Sequence, residues 1–441
     1  MNALAQLDQA VNFGLEELTR LRISGVVTEV TPSYYRLAGL SPFLKLGECV
    51  GIKHGGTTQL SEVVRIDADG ATVKTFEAQV AAGLGDCAFR IGPLHVAPDV
   101  SWKGRVIDAL SRPIDSNGPL RRGEHALPIE SPPPSALQRA RVKSPVKTGV
   151  RVIDLFMPIC AGQRIGIFAG SGVGKSTLLG MIAGSKGFDS VVIALVGERG
   201  REVREFIDDS LGANCAVAVT VVATGDESPM MRRLAPKTAL TIAEFFRDRG
   251  EKVLLIIDSV TRFAHAARDV ALAAGEPAVA RGYAPSVFSD LPKLLERAGP
   301  GTQGSGSITG IFSVLVDGDD HNDPVADNIR GTLDGHIVLD RAIADQGRFP
   351  AVNILISISR LAQHVWTKEQ QVLILKLKAM IARYEETRDL RLMGGYQPGQ
   401  DADLDQAVAL VPKLYDAVVQ APTAPMSRDA FHELAEALQA K

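Results

Sequence analysis

The sequence lacks the features that would place the protein in or beyond a membrane. No apolar stretch approaches the about 20 residues that a bilayer-spanning helix requires. Residues 1–21 carry three acidic side chains and no continuous apolar core, which is unlike a secretory signal. We therefore expect a cytoplasmic protein that is at most peripheral on a membrane surface.

Cysteine pairs and an excess of charge are also missing. The chain has four cysteines without a short pair at metal-ligand spacing, at Cys49, Cys87, Cys160 and Cys215. This pattern favours structural thiols in a reducing compartment over a zinc site or a disulfide framework. The formal net charge is only −3, so no nucleic-acid partner is expected.

The composition is that of a soluble globular protein with a large core, because 45% of residues are apolar and 22% are charged. A length of 441 residues predicts two or three domains.

The pattern of residues 1–21 predicts a helix, since leucine and valine recur at three- and four-residue spacing. Its apolar stripe either packs on its own domain or docks a partner protein, and the sequence leaves both open.

Residues 22–97 consist of short β-branched runs separated by Gly, Asp and Pro turns, which predict a small antiparallel barrel or sandwich. Residues 98–148 contain proline-rich stretches that predict a linker and connecting segment. In residues 149–362, continuously apolar strands alternate with helices, a pattern typical of buried parallel sheets. The run NILISIS is among these predicted strands. Residues 363–441 predict long amphipathic helices.

A glycine-rich segment follows the apolar strand QRIGIF and opens a helix, which is the context that a phosphate-binding loop (P-loop) requires. Its glycines let backbone N–H groups point at phosphate oxygens, and the helix N-terminus adds a positive dipole end. Lys175 is expected to reach the β- and γ-phosphates. The first position of the formal motif is alanine instead of glycine. The predicted nucleotide-binding residues are Ala169, Gly170, Ser171, Gly172, Val173, Gly174, Lys175, Ser176 and Thr177.

Two oxygen ligands are predicted for Mg²⁺. The Ser176 hydroxyl follows the P-loop lysine and is expected to bind the ion directly. Asp258 ends the apolar strand VLLIID, where a carboxylate can hold the Mg²⁺ shell through water. The acidic run of Asp317, Asp319, Asp320 and Asp323 either binds a metal or forms a solvated loop.

Hydrolysis of a nucleotide requires a group that orients the attacking water. The candidate is Glu198 in VGERGRE, which directly follows the strand SVVIALV. Its neighbour Arg199 is a candidate γ-phosphate contact. The alternative is a solvated helix start in which these acids and bases pair with one another.

Together, these motifs resemble the catalytic subunits of the rotary ATPases and, more closely, the type III secretion and flagellar export ATPases. The resemblance covers nearly the whole chain from about residue 22. It is carried by GRVID with RPIDSNGPL, by GVRVIDLFMPICAGQRIGIFAGSGVGKST, and by VGERGREV, IIDSVTRFAHAARD, GSITGIFSVLV and LDGHIVLDR in this order.

The resemblance implies a multidomain α/β protein with an N-terminal β-barrel, a central RecA-like P-loop domain with a parallel sheet, and a C-terminal helical domain. It implies a homohexameric ring that binds ATP and Mg²⁺ at subunit boundaries. By motif match, Glu198 would be the general base, and Arg360 in SISR would be the arginine finger given to the neighbouring subunit. Phe349 in RFPAV would stack on adenine. Without the resemblance, Phe349 would be a core residue and Arg360 a surface ion pair.

Within the family, the segments GYAPSVFSDLPKLLERAG and VDGDDHNDPVAD are similar to the export branch. The overall sequence pattern favours a flagellar system over a virulence-type one. The implied partners are a central stalk-like export protein, a peripheral stalk or regulator at the N-terminal helix, the export gate, chaperones and export substrates. The implied location is the cytoplasmic face of the inner membrane. The alternatives are an ion-translocating ATP synthase subunit, an RNA-translocating RecA-like hexamer and a catalytically inactive ring member.

Overall fold

The structure is a computed structural model that describes residues 23–142, 144–316 and 323–439. The predicted partner-docking helix at residues 1–21 lies outside the described residues, as do Asp317, Asp319 and Asp320. The chain divides into two compact units, and the described part of residues 1–94 forms most of the first. Within the described residues, no helix is long and apolar enough to cross a membrane.

The first unit is built on a closed antiparallel barrel, which confirms the predicted β-barrel. Its strands follow the order β1-β2-β5-β4-β3-β6 around the barrel. They are β1 (Ser24–Val30), β2 (Tyr35–Ala38), β3 (Cys49–His54), β4 (Thr57–Ile66), β5 (Ala71–Thr75) and β6 (Cys87–Gly92).

The turn between β3 and β4 illustrates how the sequence closes this barrel. His54 pairs with Thr57, so only Gly55 and Gly56 lie in the turn, with φ of +53° and +89°. A two-residue turn with positive φ at both positions matches the twist of the flanking strands, and glycine adopts it without steric cost. Along β4, buried and half-buried residues then alternate, as expected for a strand with one face on a core.

The second unit contains a nine-stranded sheet, whose main path has the order β14-β13-β8-β12-β11-β9-β10-β7. All pairings along this path are parallel except the first, between β14 and β13. The strands are β7 (Val106–Asp108), β8 (Arg164–Ala169), β9 (Ser190–Val196), β10 (Ala218–Ala223), β11 (Lys252–Asp258), β12 (Ser307–Leu315), β13 (Gly335–Leu339) and β14 (Ile358–Ser359). The ninth strand, Gly299–Pro300, pairs with β12 outside this path.

Helices follow most of these strands and cover the sheet. They are α1 (Arg151–Phe156), α2 (Lys175–Ala183), α3 (Gly200–Glu205), α4 (Pro229–Asp248), α5 (Val260–Ala273), α6 (Pro285–Glu296), α7 (Pro324–Thr332) and α8 (Arg341–Ala344). The C-terminal part is helical, as predicted, with α9 (Lys368–Glu386), α10 (Arg388–Leu392), α11 (Ala402–Val418) and α12 (Ala430–Gln439). The expected α/β architecture with a helical C-terminal region is therefore confirmed.

One predicted strand is largely wrong. The run NILISIS forms turns over most of its length, and only Ile358–Ser359 pairs, antiparallel, at the edge of the sheet. Its apolar side chains at Leu355, Ile356 and Ile358 are exposed. Periodicity alone cannot distinguish an apolar run that enters a core from one that lies on a surface.

The motif GRVID with RPIDSNGPL has a structural explanation. Arg105 donates two hydrogen bonds to the Asp115 carboxylate, at 2.7 and 2.9 Å. This guanidinium holds the pKa of Asp115 well below its usual range. The pair fixes the loop that follows β7, and β7 itself comes from the segment that the sequence assigned to a linker.

Candidate functional site

Three chemically important segments meet at the carboxyl edge of the parallel sheet. The P-loop follows β8. Glu198 follows β9, with Gly197 between them, and Asp258 is the last residue of β11. Strands β8, β12, β11 and β9 are neighbours in the sheet. Because carboxyl ends of parallel strands lie along one edge, the sheet brings these residues together there.

The P-loop residues form a tight turn between β8 and α2. Gly172 and Gly174 have φ of +79° and +89°, and Gly174 is the residue from which α2 begins. Positive φ at these glycines allows successive N–H groups to face one concave surface at a helix N-terminus. Arg341 on α8 donates a hydrogen bond of 3.0 Å to the Ser171 carbonyl and fixes the tip of the loop. This arrangement fits a polyphosphate.

Lys175 lies between two carboxylates. Its ammonium forms a short ion pair with Asp258 and lies 3.5 Å from Glu198 Oε1. All three side chains are mostly buried, with 11%, 3% and 14% of the side-chain surface of Lys175, Asp258 and Glu198 exposed. A buried cation between two acids compensates their charge, and a γ-phosphate would compete for the same ammonium.

Burial raises the pKa of Glu198 above its ordinary value, while the positive charge of Lys175 acts against this shift. The negative charge of Asp258 raises the pKa further, and Arg262 lowers it. A carboxyl group with a raised pKa beside a phosphate site is suited to accept a proton from water.

Arg262 is a site residue that the sequence analysis missed. It lies on α5, and a Cβ atom placed on Gly197 would come within 2.8 Å of its Cδ atom. Gly197 has φ of +70°, so this glycine both makes the turn after β9 and leaves room for the arginine. The signal was available in IIDSVTRF, because a helix that starts just after Asp258 carries its first basic residue into the same edge of the sheet.

These charges predict a displaced pH dependence. If Glu198 is the general base that the sequence predicts, the acid limb of kcat/KM for ATP should lie above the pH range of an ordinary glutamate, because its pKa is raised and only the ionised form accepts a proton. Replacing Arg262 with glutamine should move this limb to still higher pH, since a charge that lowers the pKa is lost. Arg201→Gln, at an exposed position of α3, serves as the matched control and should leave the limb in place. An unchanged limb in Arg262→Gln would contradict the assignment.

A cavity of about 390 Å³ lies beside the P-loop helix. The Phe349 ring, 41% exposed, lies against the P-loop, because a Cβ atom placed on Gly174 would be 3.4 Å from its Cδ1 atom. The other lining residues are Thr177, Leu178, Met181, Gly347, Pro350, Val419, Gln420, Ala421 and Pro422. A mostly apolar slot with an exposed aromatic ring next to a phosphate site fits a stacked nucleobase. The part of the slot that follows α11 was not predicted from the sequence.

Arg360 is not part of the site in its own chain. Ser359 pairs with Gly335 at the start of β13, whereas Leu339 at the end of β13 pairs with Ala169, which precedes the P-loop. These ends of β13 are about 13 Å apart along a strand. Arg360 therefore begins at the opposite edge of the sheet, where it is exposed and makes no side-chain hydrogen bond or ion pair within the described residues.

Two of the predicted site residues, Arg199 and Ser176, occupy surface positions. Arg199 is 72% exposed and pairs with Glu202 at 3.5 Å, so the structure does not bring it to Lys175. Ser176 is exposed at the start of α2. Together with the Asp258 carboxylate, its hydroxyl provides the oxygen donors that Mg²⁺ prefers, so these residues fit the ion.

Asp323, the described member of the acidic run, has a different role. Its carboxylate accepts hydrogen bonds from the N–H groups of Val325 and Ala326 and caps α7. No cluster of three or more metal-binding side chains is present in the part of the chain that the structure describes.

Comparison with known protein families agrees with this geometry. Residues 149–359 match the nucleotide-binding domain of the ATP synthase alpha/beta family. Residues 366–439 match the C-terminal domain of the type III secretion ATPase EscN. The first match contains the P-loop and every strand of the sheet except β7, and the second contains the C-terminal helices.

Individual relatives extend the similarity over the whole chain. A flagellum-specific ATP synthase from Agrobacterium fabrum is 55% identical over 436 residues, which cover 99% of this chain and 92% of the relative. A type 3 secretion system ATPase from Xanthomonas euvesicatoria is 41% identical, with 91% of each chain covered.

Two solved structures of EscN, from the type III secretion system of enteropathogenic E. coli, have the same fold. The assembled ATPase gives a TM-score of 0.88 at 40% identity and covers 94% of this chain and 100% of EscN. EscN in complex with its central stalk EscO gives 0.85 at 39% identity, with the same coverage. The chain thus belongs to the flagellar and type III secretion ATPase family, related to the rotary ATP synthases, and is an ATP-hydrolysing P-loop enzyme.

Proposed function

We propose that the protein forms a homohexameric ring that hydrolyses Mg²⁺-ATP at its subunit boundaries and thereby energises type III export of flagellar proteins. The observation that carries this proposal is the position of Arg360. An exposed arginine that has no side-chain partner among the described residues, and that lies at the edge of the sheet opposite its own P-loop, can act on a γ-phosphate only if another subunit supplies the nucleotide. EscN, with the same fold, has been solved as an assembled ATPase.

In the proposed mechanism, the ATP polyphosphate binds the P-loop N–H groups and takes Lys175 from its two carboxylates. Glu198 then accepts a proton from the attacking water, which it holds in line with the γ-phosphate. Arg360 of the neighbouring subunit compensates the charge that develops in the transition state. Phe349 stacks on the adenine and fixes the other end of the substrate.

Ser176 and Asp258 are the residues that would hold Mg²⁺, the first directly and the second through water. When bound, the ion neutralises charge on the phosphate oxygens. Asp258 becomes available for this role when Lys175 leaves it for the phosphate. Arg199 stays a candidate for a γ-phosphate contact that forms only with substrate.

The segment before Arg360 supports a subunit interface. Leu355, Ile356 and Ile358 expose 37%, 45% and 49% of their surface, and they precede the proposed finger directly. We call these three residues the finger patch. Contact with a second copy of the chain would bury the finger patch and would bring Arg360 to the nucleotide of that copy.

We expect Ile356→Asp to prevent ring formation without unfolding the chain. Ile356 is already exposed, so aspartate costs little in the monomer, whereas an unpaired charge in a closed interface costs several kcal/mol. Sedimentation with Mg²⁺ and a nucleotide analogue should show monomers, and specific ATPase activity should no longer rise with protein concentration. Leu392→Asp, at another exposed apolar position on α10, is the matched control and should still assemble. Normal assembly of Ile356→Asp would refute the finger patch as an interface.

A flagellar role is supported by the 55% identity to a flagellum-specific ATP synthase, compared with 41% to a type 3 secretion system ATPase. We propose a central stalk-like protein as partner, since EscN has been solved with its central stalk. We also propose that residues 1–21 dock a peripheral stalk or regulator protein. Export gate, chaperones and substrates would then meet the ring at the cytoplasmic face of the inner membrane. We propose the domain boundaries that the sequence predicts. They are residues 22–97 for the β-barrel, 98–148 for the linker and connecting segment, 149–362 for the RecA-like ATPase domain and 363–441 for the C-terminal helical domain.

Replacement of Glu198 by glutamine in the source bacterium tests the biological role. A flagellar export enzyme should lose secretion of filament protein and motility, while secretion through a virulence-type system and ATP synthesis by membrane vesicles continue. Loss of virulence-type secretion alone would favour that branch. Loss of vesicle ATP synthesis would identify an ion-translocating synthase subunit.

A further inference from the structure

The short loop Gly347–Pro350, here called the base loop, carries Phe349 and is attached to the C-terminal helices rather than to the sheet alone. The Phe349 carbonyl accepts a hydrogen bond of 2.9 Å from the N–H of Gln420, which follows α11. The neighbouring Arg348 extends its side chain to α11, where its guanidinium carbon lies 3.9 Å from the centre of the Tyr415 ring. The base loop, which carries the Phe349 ring, is thus held by contacts with α11 and with the residue Gln420 that follows it.

Tyr415 continues this contact to a second helix. Its hydroxyl donates a hydrogen bond of 2.5 Å to Glu385 Oε1 on α9. Arg348, Tyr415 and Glu385 therefore form a chain of contacts from the base loop through α11 to α9, which we call the base clamp. Burial and the hydrogen bond to Glu385 raise the pKa of Tyr415 above its ordinary value.

The base clamp is not a filled core. Cavities of about 230 and about 510 Å³ both border Arg348, Tyr415 and Glu385. The buried Nε atom of Arg348 has no hydrogen-bond partner among the described residues. The contact with Tyr415 restrains this side chain, and the adjoining space leaves room for it to separate from the ring.

We propose that Arg348 is a positioning residue: through the base clamp it holds Phe349 against the nucleobase and transmits occupancy of the base slot to α11 and α9. The proposal rests on the assignment of the slot at Phe349 to adenine in the proposed function. Arg348 need not touch the nucleotide. It restricts the conformations of the base loop before the nucleotide binds. This restriction should strengthen nucleotide binding more than it raises kcat.

The experiment compares Arg348→Leu with Arg391→Leu, both in the full chain. Arg391 also has its guanidinium over a tyrosine ring, 3.6 Å from the ring centre of Tyr384, and in addition donates a hydrogen bond of 2.7 Å to the Tyr384 carbonyl; it lies on α10 and not on the base loop. We expect Arg348→Leu to raise KM for ATP by about 3- to 20-fold, the effect of losing one cation–ring contact, with kcat within about twofold of wild type. Arg391→Leu should leave KM unchanged. Arg348→Lys keeps a cation over the ring and should recover part of the affinity.

A second measurement separates positioning of the base from general damage to the site. With Mg²⁺ present, Arg348→Leu should weaken binding of ADP but not of inorganic pyrophosphate, which has no base to stack. Hydrogen exchange should show that ADP protects α11 in the wild-type chain and fails to do so in Arg348→Leu. Equal weakening of ADP and pyrophosphate would overturn the proposal, as would an unchanged KM.

Phe349→Ala distinguishes failure of this proposal from failure of the adenine slot itself. If Phe349→Ala weakens ADP binding and Arg348→Leu does not, the slot is correct and the base clamp is wrong. If neither variant affects ADP binding, the assignment of the slot fails together with the clamp.

Discussion

Replacing Arg360 with alanine is expected to lower kcat for ATP by about 10³- to 10⁵-fold, the range known for arginine fingers in phosphoryl transfer. Nucleotide binding should persist, because Arg360 lies at the opposite edge of the sheet from its own P-loop. Single-turnover hydrolysis and binding of a fluorescent ATP analogue measure the two quantities separately. Little loss of activity in assembled rings would rule out the arginine as a finger.

A mixing experiment identifies the subunit on which Arg360 acts. Lys175→Ala removes the P-loop cation but keeps the arginine, whereas Arg360→Ala keeps a complete P-loop. In a random 1:1 mixed ring, about one quarter of boundaries combine an intact P-loop with an intact arginine, since each boundary is formed by two different copies. Activity should therefore reappear on mixing. If Arg360 acted within its own chain, the mixture would stay as inactive as its components.

The second large effect is expected at Glu198. Glu198→Gln should reduce kcat by about 10²- to 10⁴-fold, the contribution of a positioned general base, because the amide cannot accept the proton from water. The KM for ATP should not rise, since a negative charge near the γ-phosphate site is removed. Steady-state kinetics with a coupled assay resolve both parameters.

Glu205→Gln is the control for Glu198→Gln, since it makes the same chemical change at an exposed position of the adjacent helix α3. Its kcat should stay within about twofold of wild type, as for other surface substitutions. A Glu198→Gln enzyme that retains wild-type kcat would show that another group orients the water.

The fold was largely predictable because its elements carry local signals. Apolar runs such as those of β9 and β11 are too continuous for amphipathic strands and indicate a parallel sheet buried on both faces. The Gly55–Gly56 turn and its alternating neighbours indicate an antiparallel hairpin. The strand β7 was missed because it has three residues in a proline-rich segment, and it forms only through pairing with β10.

The candidate site also has a part that the sequence predicts and a part that it does not. The P-loop and Asp258 occupy fixed positions relative to a strand and a helix, so their meeting follows from the order of the sheet. Gln420 approaches the site from a segment after α11 whose packing is not encoded in a short motif. Charge alone was misleading for Asp323, whose role in the described structure is a helix cap.

Strand β13 has a consequence for the genetics of the proposed ring. Its carboxyl end adjoins the strand that leads into the P-loop, and its amino end pairs with the segment that carries Arg360. Each copy of the chain therefore contributes to two reaction centres, one on either side. A copy that lacks both Lys175 and Arg360 but still assembles would disable both of its boundaries, so such an allele should lower the activity of mixed rings by more than its share of the copies.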